Sequence, residues 1–223
     1  MSGVASRLAS IRERIARAGR DPDEVTIVAV TKGFGVEACL EAMAAGLRVL
    51  GENRVQEALG KMEQVSAGRA QGALPAAEWH LIGHLQTNKV KQATGKFALI
   101  QTVDSLHLAE AIAAREPGQA VLVEVNVARE PQKSGALPED AVDLVAAASA
   151  LLEVRGLMAM GPGQGDPTPA FAELRRIRDE ARERTGRALP VLSMGMSGDF
   201  EAALAAGSTM LRLGQALFGP RPT

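Results

Sequence analysis

The chain has 223 residues, of which 46% are hydrophobic and 23% are charged. These fractions are typical of a folded globular protein and exclude the disordered, collagen-like and low-complexity classes. The 25 basic and 26 acidic residues give a net charge of −1, without any block of like charges. Nothing therefore indicates the basic surface that nucleic acid binding requires.

Length and cysteine content predict one domain in a reducing compartment. Barrels of alternating strands and helices often run to ~250 residues as a single unit, so we expect one domain over residues 1–223. A single cysteine, Cys39, excludes an internal disulfide framework. No run has the pattern of a signal peptide or the ~18 apolar residues of a membrane span. We expect a cytoplasmic, monomeric protein that binds neither membranes nor nucleic acid.

The first predicted element is an amphipathic helix, whose apolar positions recur at helical spacing and which ends at Gly19. Its apolar residues are Val4, Leu8, Ile11 and Ile15. Short apolar runs then alternate with helical patterns. The runs, each predicted to be a strand, are 25–30, 48–53, 78–83, 97–104, 120–127, 152–160, 190–195 and 209–214.

This alternation favours a (β/α)8 TIM barrel with an additional N-terminal helix. Nearly continuous apolar strands such as VTIVAV (25–30) are typical of parallel sheets that are covered on both faces. One of the intervening helices is expected over 86–94. An open doubly wound sheet would show the same alternation and remains the alternative at this point.

Lys32 is the first candidate for chemistry, because it directly follows an apolar strand. In a (β/α)8 barrel the active face lies at the carboxyl ends of the strands. Desolvation there lowers the pKa of a lysine, and a neutral amine is what attacks a carbonyl to form a Schiff base. A solvated lysine at a strand end is the alternative interpretation.

A second candidate is the segment SMGMSGDF (193–200), in which Ser197 and Gly198 lead from a strand into a helix. A hydroxyl, a flexible glycine and helix amides together favour an anion, most often phosphate. We expect Asp199 to cap that helix and to point away from the anion.

A third candidate is LRLGQALFG (211–219), where Arg212 ends the last strand and Gly214 and Gln215 begin a turn. The loops after strands 7 and 8 commonly form the phosphate site of such barrels. A surface arginine and a turn glycine are the alternative interpretation of this segment.

Three weaker signals predict no site. His80 and His84 are four residues apart but lack an acidic or cysteine partner nearby, so we expect no metal site. The stretch GPGQG (161–165) does not match the GxGxxG pattern of dinucleotide binding. Cys39 lies on the apolar face of its helix and is predicted to be packed rather than nucleophilic.

Seven motifs spanning nearly the whole chain resemble those of the pyridoxal phosphate homeostasis protein family, in the same order. They are AVTKGF around Lys32, GENRVQE (51–57), WHLIGHLQTNK (79–89), KSG (133–135), RGLMAM (155–160), SMGMSGDF (193–200) and GSTMLRLGQALFG (207–219). The resemblance implies a single barrel similar to the N-terminal domain of alanine racemase. It also implies that pyridoxal 5′-phosphate (PLP) is held as a Schiff base on Lys32 and that the protein buffers and delivers PLP without catalysis.

The resemblance further implies roles for individual residues. Asn53 is expected beside the PLP ring, and Arg212 is expected to face its pyridine nitrogen. Ser197, Gly214 and Gln215 are expected to hold the phosphate. Gln215 departs from the small hydroxyl residue often found there, so its backbone amide is the more dependable contact.

Two features favour the non-catalytic interpretation. An arginine facing the pyridine nitrogen leaves that nitrogen unprotonated and makes PLP a poorer electron sink. The chain also contains no tyrosine, whereas the related racemases use a tyrosine of a second domain as the opposite base.

Three hypotheses follow. The first is a non-catalytic PLP carrier with PLP-dependent apo-enzymes as recipients. The second is a small amino-acid racemase or lyase that uses Lys32 with His80 as second base, and the third is a cofactor-free Schiff-base aldolase.

Overall fold

A computed structural model describes residues 3–69 and 75–220, which form a closed barrel of eight parallel strands in the order β1 to β8. This confirms the (β/α)8 prediction over the open sheet. The strands are β1 (Thr26–Val30), β2 (Val49–Glu52), β3 (Glu78–Leu81), β4 (Leu99–Val103), β5 (Ala120–Glu124), β6 (Glu153–Met158), β7 (Val191–Ser193) and β8 (Met210–Leu213). The one-domain interpretation of 1–223 stays a prediction, and residues 1–2, 70–74 and 221–223 lie outside the described ranges.

Helices cover the barrel on its outer face. They are α1 (Val4–Arg17), α2 (Val36–Ala44), α3 (Val55–Arg69), α4 (Val90–Ala93), α5 (Leu106–Ala113), α6 (Pro138–Ser149), α7 (Thr168–Thr185), α8 (Phe200–Ala205) and α9 (Gln215–Phe218). The predicted N-terminal helix is confirmed as α1, and its four apolar residues are all buried. No helix within 3–69 and 75–220 is both long and apolar enough to span a bilayer.

The continuous helix predicted over 86–94 is not formed. A 3-10 turn (Thr87–Lys89) is followed by the single turn α4. Only Val90 and Ala93 of the two turns are buried, so the segment has too few apolar contacts to stabilise a longer helix.

The strands bury side chains on both faces, since successive residues of a strand point to opposite sides. The outward-facing residues join the helices in one large core. The inward-facing residues form a smaller apolar cluster inside the barrel: Val28, Leu99, Ala120, Leu122, Met158 and Met210.

Two glycines allow close packing in the barrel wall. A Cβ on Gly51 would lie 2.7 Å from Cγ1 of Val28, so the missing side chain leaves room for the inner cluster. Gly156 has a φ of +154°, and a Cβ there would overlap the carbonyl oxygen of Val191 on β7. The contact between β6 and β7 therefore requires glycine at position 156.

We predict opposite effects for two Gly→Ala substitutions. Gly156→Ala should lower the free energy of unfolding by roughly 3 kcal/mol, the upper end for overpacked cores, because backbone of β7 must move. Gly60→Ala should raise it by ~0.4–1 kcal/mol, because Gly60 lies within α3 with nothing within 4 Å of the added Cβ. Urea unfolding of both variants tests the prediction, and equal effects would contradict it.

Candidate functional site

A cavity of about 350 Å³ opens at the carboxyl ends of the strands and brings together five of the six predicted site residues. A larger groove of about 620 Å³ runs along the outside of α7, away from the strand ends. The cavity at the strand ends is lined by Lys32, Ser197, Arg212, Gly214 and Gln215, together with Gly198 and the apolar residues Val30, Ile82, Met160 and Met196. Residues that follow β1, β7 and β8 thus meet at one place.

Lys32 lies in a tight turn that directly follows β1. The amide of Phe34 donates to the carbonyl oxygen of Thr31 at 3.0 Å, and Gly33 between them has a φ of +76°. A positive φ at the third residue is the requirement of a type II turn and favours glycine there. Lys32 is the second residue of this turn and is half-buried.

Arg212 points into the barrel from β8 and is almost completely buried. Its Nη1 donates to the carbonyl oxygen of Ser193 at 2.7 Å and to the Ser193 hydroxyl at 2.8 Å. Its Nη2 donates to the carbonyl oxygen of Ala159 at 2.8 Å. Burial lowers the pKa of Arg212 to about 10, although Glu124 and Asp199 oppose this. The guanidinium is therefore fixed in place and still charged at neutral pH.

A chain of buried polar side chains continues below Arg212. The Ser193 hydroxyl donates to Oε1 of Gln101 at 2.6 Å, and Nε2 of Gln101 lies 3.0 Å from Nδ1 of His80. Burial, assisted by the charge of Arg155, lowers the pKa of His80 to about 4. His80 is thus a neutral group inside the barrel, and it is not among the residues that line the cavity.

Ser197 connects the loops that follow β7 and β8. Its hydroxyl oxygen accepts a hydrogen bond from the amide of Ala216 at 3.1 Å, and this leaves the hydroxyl hydrogen available to donate to a ligand. Gly214 and Gln215 precede Ala216 in the same cavity wall. The arrangement offers a hydroxyl donor next to the start of α9.

The expectation that Asp199 caps α8 is wrong. Asp199 does stand at the N-terminal boundary of the helix, but its carboxylate accepts no hydrogen bond from the amides of the first turn. Instead Oδ1 accepts from the amide of Met196 at 2.6 Å. The carboxylate is satisfied one turn earlier in the chain, so it stabilises the loop after β7 rather than the helix.

Asn53 is the predicted site residue that the structure does not bring into this cavity. It lines a neighbouring cavity of about 340 Å³ together with His84 and Lys89. The backbone of Asn53 packs so closely on Gly83 that a Cβ at Gly83 would overlap it. Asn53 therefore lies at the strand ends but in a separate recess.

Glu124, at the end of β5, is a buried acidic residue that was not singled out from the sequence and that does not line the cavity. It is 3% exposed, and its Oε2 has no hydrogen-bond partner among the described residues. Burial raises its pKa to about 7, with a further increase from Asp104 and an opposing effect of Arg212. An acidic residue within the apolar run VLVEVNV is the signal by which the sequence could have identified it.

The histidines do not form a metal site. Nδ1 of His84 lies 3.2 Å from Oδ2 of Asp104, but no group of three or more metal-ligating side chains occurs in the described part of the chain. Cys39 is buried, which confirms its predicted packing.

The chain is similar to proteins of known family over its whole length. A protein from Aquifex aeolicus named pyridoxal phosphate homeostasis protein is 41% identical, with 98% of each chain covered. A protein of the same name from Pseudomonas aeruginosa is 40% identical, with 98% of this chain and 94% of the relative covered.

Solved structures show the same similarity. PipY of Synechococcus elongatus, solved with PLP bound, is 34% identical to this chain and superposes on it with a TM-score of 0.83. The match covers 97% of this chain and 100% of PipY. Alanine racemase from Corynebacterium glutamicum, at 17% identity and a TM-score of 0.74, shares the fold over 61% of its own length. Residues 6–222 match the family described as the alanine racemase N-terminal domain. The chain thus belongs to that family and, within it, to the pyridoxal phosphate homeostasis proteins.

Proposed function

We propose that this protein binds PLP as a Schiff base on Lys32 and takes part in PLP homeostasis without catalysing a reaction of its own. The observation that carries the proposal is the single cavity in which Lys32, Ser197 and Arg212 meet from three strand ends. Relatives of 40–41% identity are named pyridoxal phosphate homeostasis proteins, which supports the same assignment.

The residues of the cavity fit PLP in size and chemistry. A volume of about 350 Å³ is within the ~300–1,000 Å³ of small-molecule sites. Bound PLP supplies an aldehyde that condenses with a primary amine, releasing water, and an electron-accepting ring. Lys32 offers the amine, and the Ser197 hydroxyl with the amides of Gly214 and Gln215 offers donors to the phosphate. Apolar walls from Val30, Ile82, Met160 and Met196 suit a flat ring.

Arg212 restrains chemistry on the ring. A guanidinium carries only donors and remains charged at neutral pH, so Arg212 facing the pyridine nitrogen keeps that nitrogen unprotonated. The bonds to Ser193 and Ala159 fix the position of the guanidinium, which supports this proposal. Arg212 thus favours binding of PLP without chemical reaction of the cofactor.

The cavity also lacks a second base. Among the described residues that line it, Lys32 is the one side chain with an amine, and none carries a carboxylate or an imidazole. His80, the second base of the racemase hypothesis, is neutral and buried below Arg212. Proton transfer from one face of an amino acid to the other requires two bases, so the carrier is favoured over the racemase.

The proposal extends to the partners of the protein. We propose PLP-dependent apo-enzymes as recipients, and a monomeric protein in the cytoplasm. PipY has been solved both with and without PLP, at TM-scores of 0.83 and 0.85 to this chain. This supports a barrel that keeps its fold while the cofactor enters and leaves.

We predict that Lys32→Ala abolishes covalent attachment of PLP without loss of the fold. The side chain lies in a turn at the mouth of the barrel, outside the apolar core formed by the strands and helices, so we expect the fold to tolerate its removal. Visible absorbance, borohydride reduction and mass spectrometry measure attachment. Lys89→Ala, in the neighbouring cavity, is the matched control. A borohydride-fixed adduct in Lys32→Ala would place the Schiff base on another lysine.

We predict that Ser197→Ala weakens PLP retention by about 1.5–3 kcal/mol, the range for hydrogen bonds to charged groups, or roughly 10- to 150-fold in the dissociation constant. Equilibrium dialysis measures the change. Ser66→Ala, exposed on α3, should leave retention unchanged. Equal retention in both variants would reduce Ser197 to a link between two loops.

We predict that amino acids release the cofactor but are not turned over. Their amines compete with Lys32 for the aldehyde, which requires no second base. Racemisation or elimination, followed by chiral chromatography, should stay near background for alanine and serine. A kcat within the usual ~1–10³ s⁻¹ of enzymes, lost in Lys32→Ala, would establish the racemase instead.

A further inference from the structure

A buried cluster of charged groups lies directly behind the turn that carries Lys32. Nζ of Lys61, on α3, donates to Oε1 of Glu52 at 2.6 Å and to Oε1 of Glu57 at 3.0 Å. It also donates to the carbonyl oxygen of Thr31 at 2.9 Å. Lys61 is 7% exposed and Glu52 is fully buried. All three N–H donors of the ammonium are therefore used, and they join β1, β2 and α3.

The same cluster holds the turn on both sides of Lys32. Before Lys32, the hydroxyl of Thr31 donates to Oε1 of Glu52 at 2.6 Å. After Lys32, the amide of Gly33 donates to Oε1 of Glu57 at 3.3 Å. The carbonyl oxygen of Thr31, which closes the turn with Phe34, is the one that Lys61 contacts. The residues flanking Lys32 are thus fixed by groups outside the cofactor cavity.

Stability alone is a poor explanation for this cluster. Replacing a buried ion pair by apolar residues of similar volume is often neutral or stabilising. Here Oε2 of Glu52 also has no hydrogen-bond partner among the described residues, which adds a desolvation cost. What the cluster provides is a defined geometry for the Thr31–Phe34 turn.

The cluster also separates the roles of the two lysines. Burial tends to lower the pKa of Lys61, but its bonds to Glu52 and Glu57 outweigh burial and raise that pKa above its usual range. Lys61 therefore remains a protonated ammonium. A protonated ammonium cannot attack an aldehyde. Lys61, although it contacts the turn, is therefore unavailable as a nucleophile.

We propose that Lys61, with Glu52 and Glu57, is a positioning residue that holds the Thr31–Phe34 turn so that the amine of Lys32 is presented to the cavity. The proposal rests on PLP attachment at Lys32. Misplacement of a reacting group by about 1 Å can slow a reaction by about 100-fold. Loss of the cluster should therefore slow attachment at Lys32 without changing the rest of the cavity.

The test compares covalent and non-covalent binding in the full-length apo-protein. Attachment of PLP is followed by visible absorbance and by mass spectrometry after borohydride reduction. Affinity is measured separately with pyridoxine 5′-phosphate, which has an alcohol in place of the aldehyde and cannot react with an amine. Lys61→Met removes the ammonium group, and Glu57→Ala removes the carboxylate that accepts the hydrogen bond from the amide of Gly33. Glu63→Ala is the control, because Glu63 is exposed on the same helix.

We expect Lys61→Met to attach PLP about tenfold more slowly or worse, and Glu57→Ala to show a smaller slowing. Both should bind pyridoxine 5′-phosphate as the wild type does, and Glu63→Ala should match the wild type in both assays. If Lys61→Met does not fold, Glu57→Ala decides, since Glu57 is only partly buried and Lys61 keeps its bonds to Glu52 and Thr31.

Two results would overturn the positioning role. One is an attachment rate equal to that of the wild type in the folded variants. The other is an equal loss of attachment and of pyridoxine 5′-phosphate affinity, which indicates general damage to the cavity. If the wild type itself forms no borohydride-fixed adduct at Lys32, attachment at Lys32 is refuted, and the positioning role with it.

Discussion

Closure of the barrel is the constraint on which the candidate site depends. Because all eight strands run in the same direction, their carboxyl ends meet at one rim. The pairing of β1 with β8, from Thr26 with Met210 to Ala29 with Leu213, brings the first and last strands together. Lys32 follows one of these strands, and Arg212 and Gly214 belong to the end of the other. The cavity exists because these two strands are neighbours.

The cavity is supported from both sides of the barrel wall. Inside the barrel, Ser193 and the carbonyl oxygen of Ala159 fix Arg212. Between the wall and the helices, Lys61 and Glu52 fix the turn of Lys32. Buried charges of this kind are costly unless they are paired and hydrogen-bonded. Their concentration around the strand ends indicates that geometry at the site is favoured over the stability of an all-apolar wall.

The sequence predicted most of the fold because the relevant signals are local. Apolar runs between helical patterns identified all eight strands, and Lys32 stood out as a charge directly after such a run. Arg212 was predicted to end the last strand, whereas its burial inside the barrel and its bonds to Ser193 and Ala159 are findings of the structure. Such local patterns predict strands correctly because a strand that is buried in the barrel must consist mainly of apolar residues.

What the sequence could not predict depends on contacts between separate elements. The role of Lys61 requires β1, β2 and α3 to meet, and nothing in the motif GENRVQE or in the Glu57–Lys61 spacing fixes the orientation of that helix. Asn53 follows a strand as predicted, yet its packing on Gly83 places it in another recess. Asp199 occupies a capping position, but the amide of Met196 competes successfully for its carboxylate.

The ladder between β1 and β8 also has a consequence for folding. It pairs segments near opposite ends of the chain, and contacts of such high sequence separation form slowly because a long loop must close first. During synthesis β1 precedes β8 and has an unpaired edge until β8 has been made. The Lys32–Arg212 cavity therefore forms only after β8 has been synthesised and has paired with β1. Any ligand that needs both strand ends therefore binds only to a closed barrel.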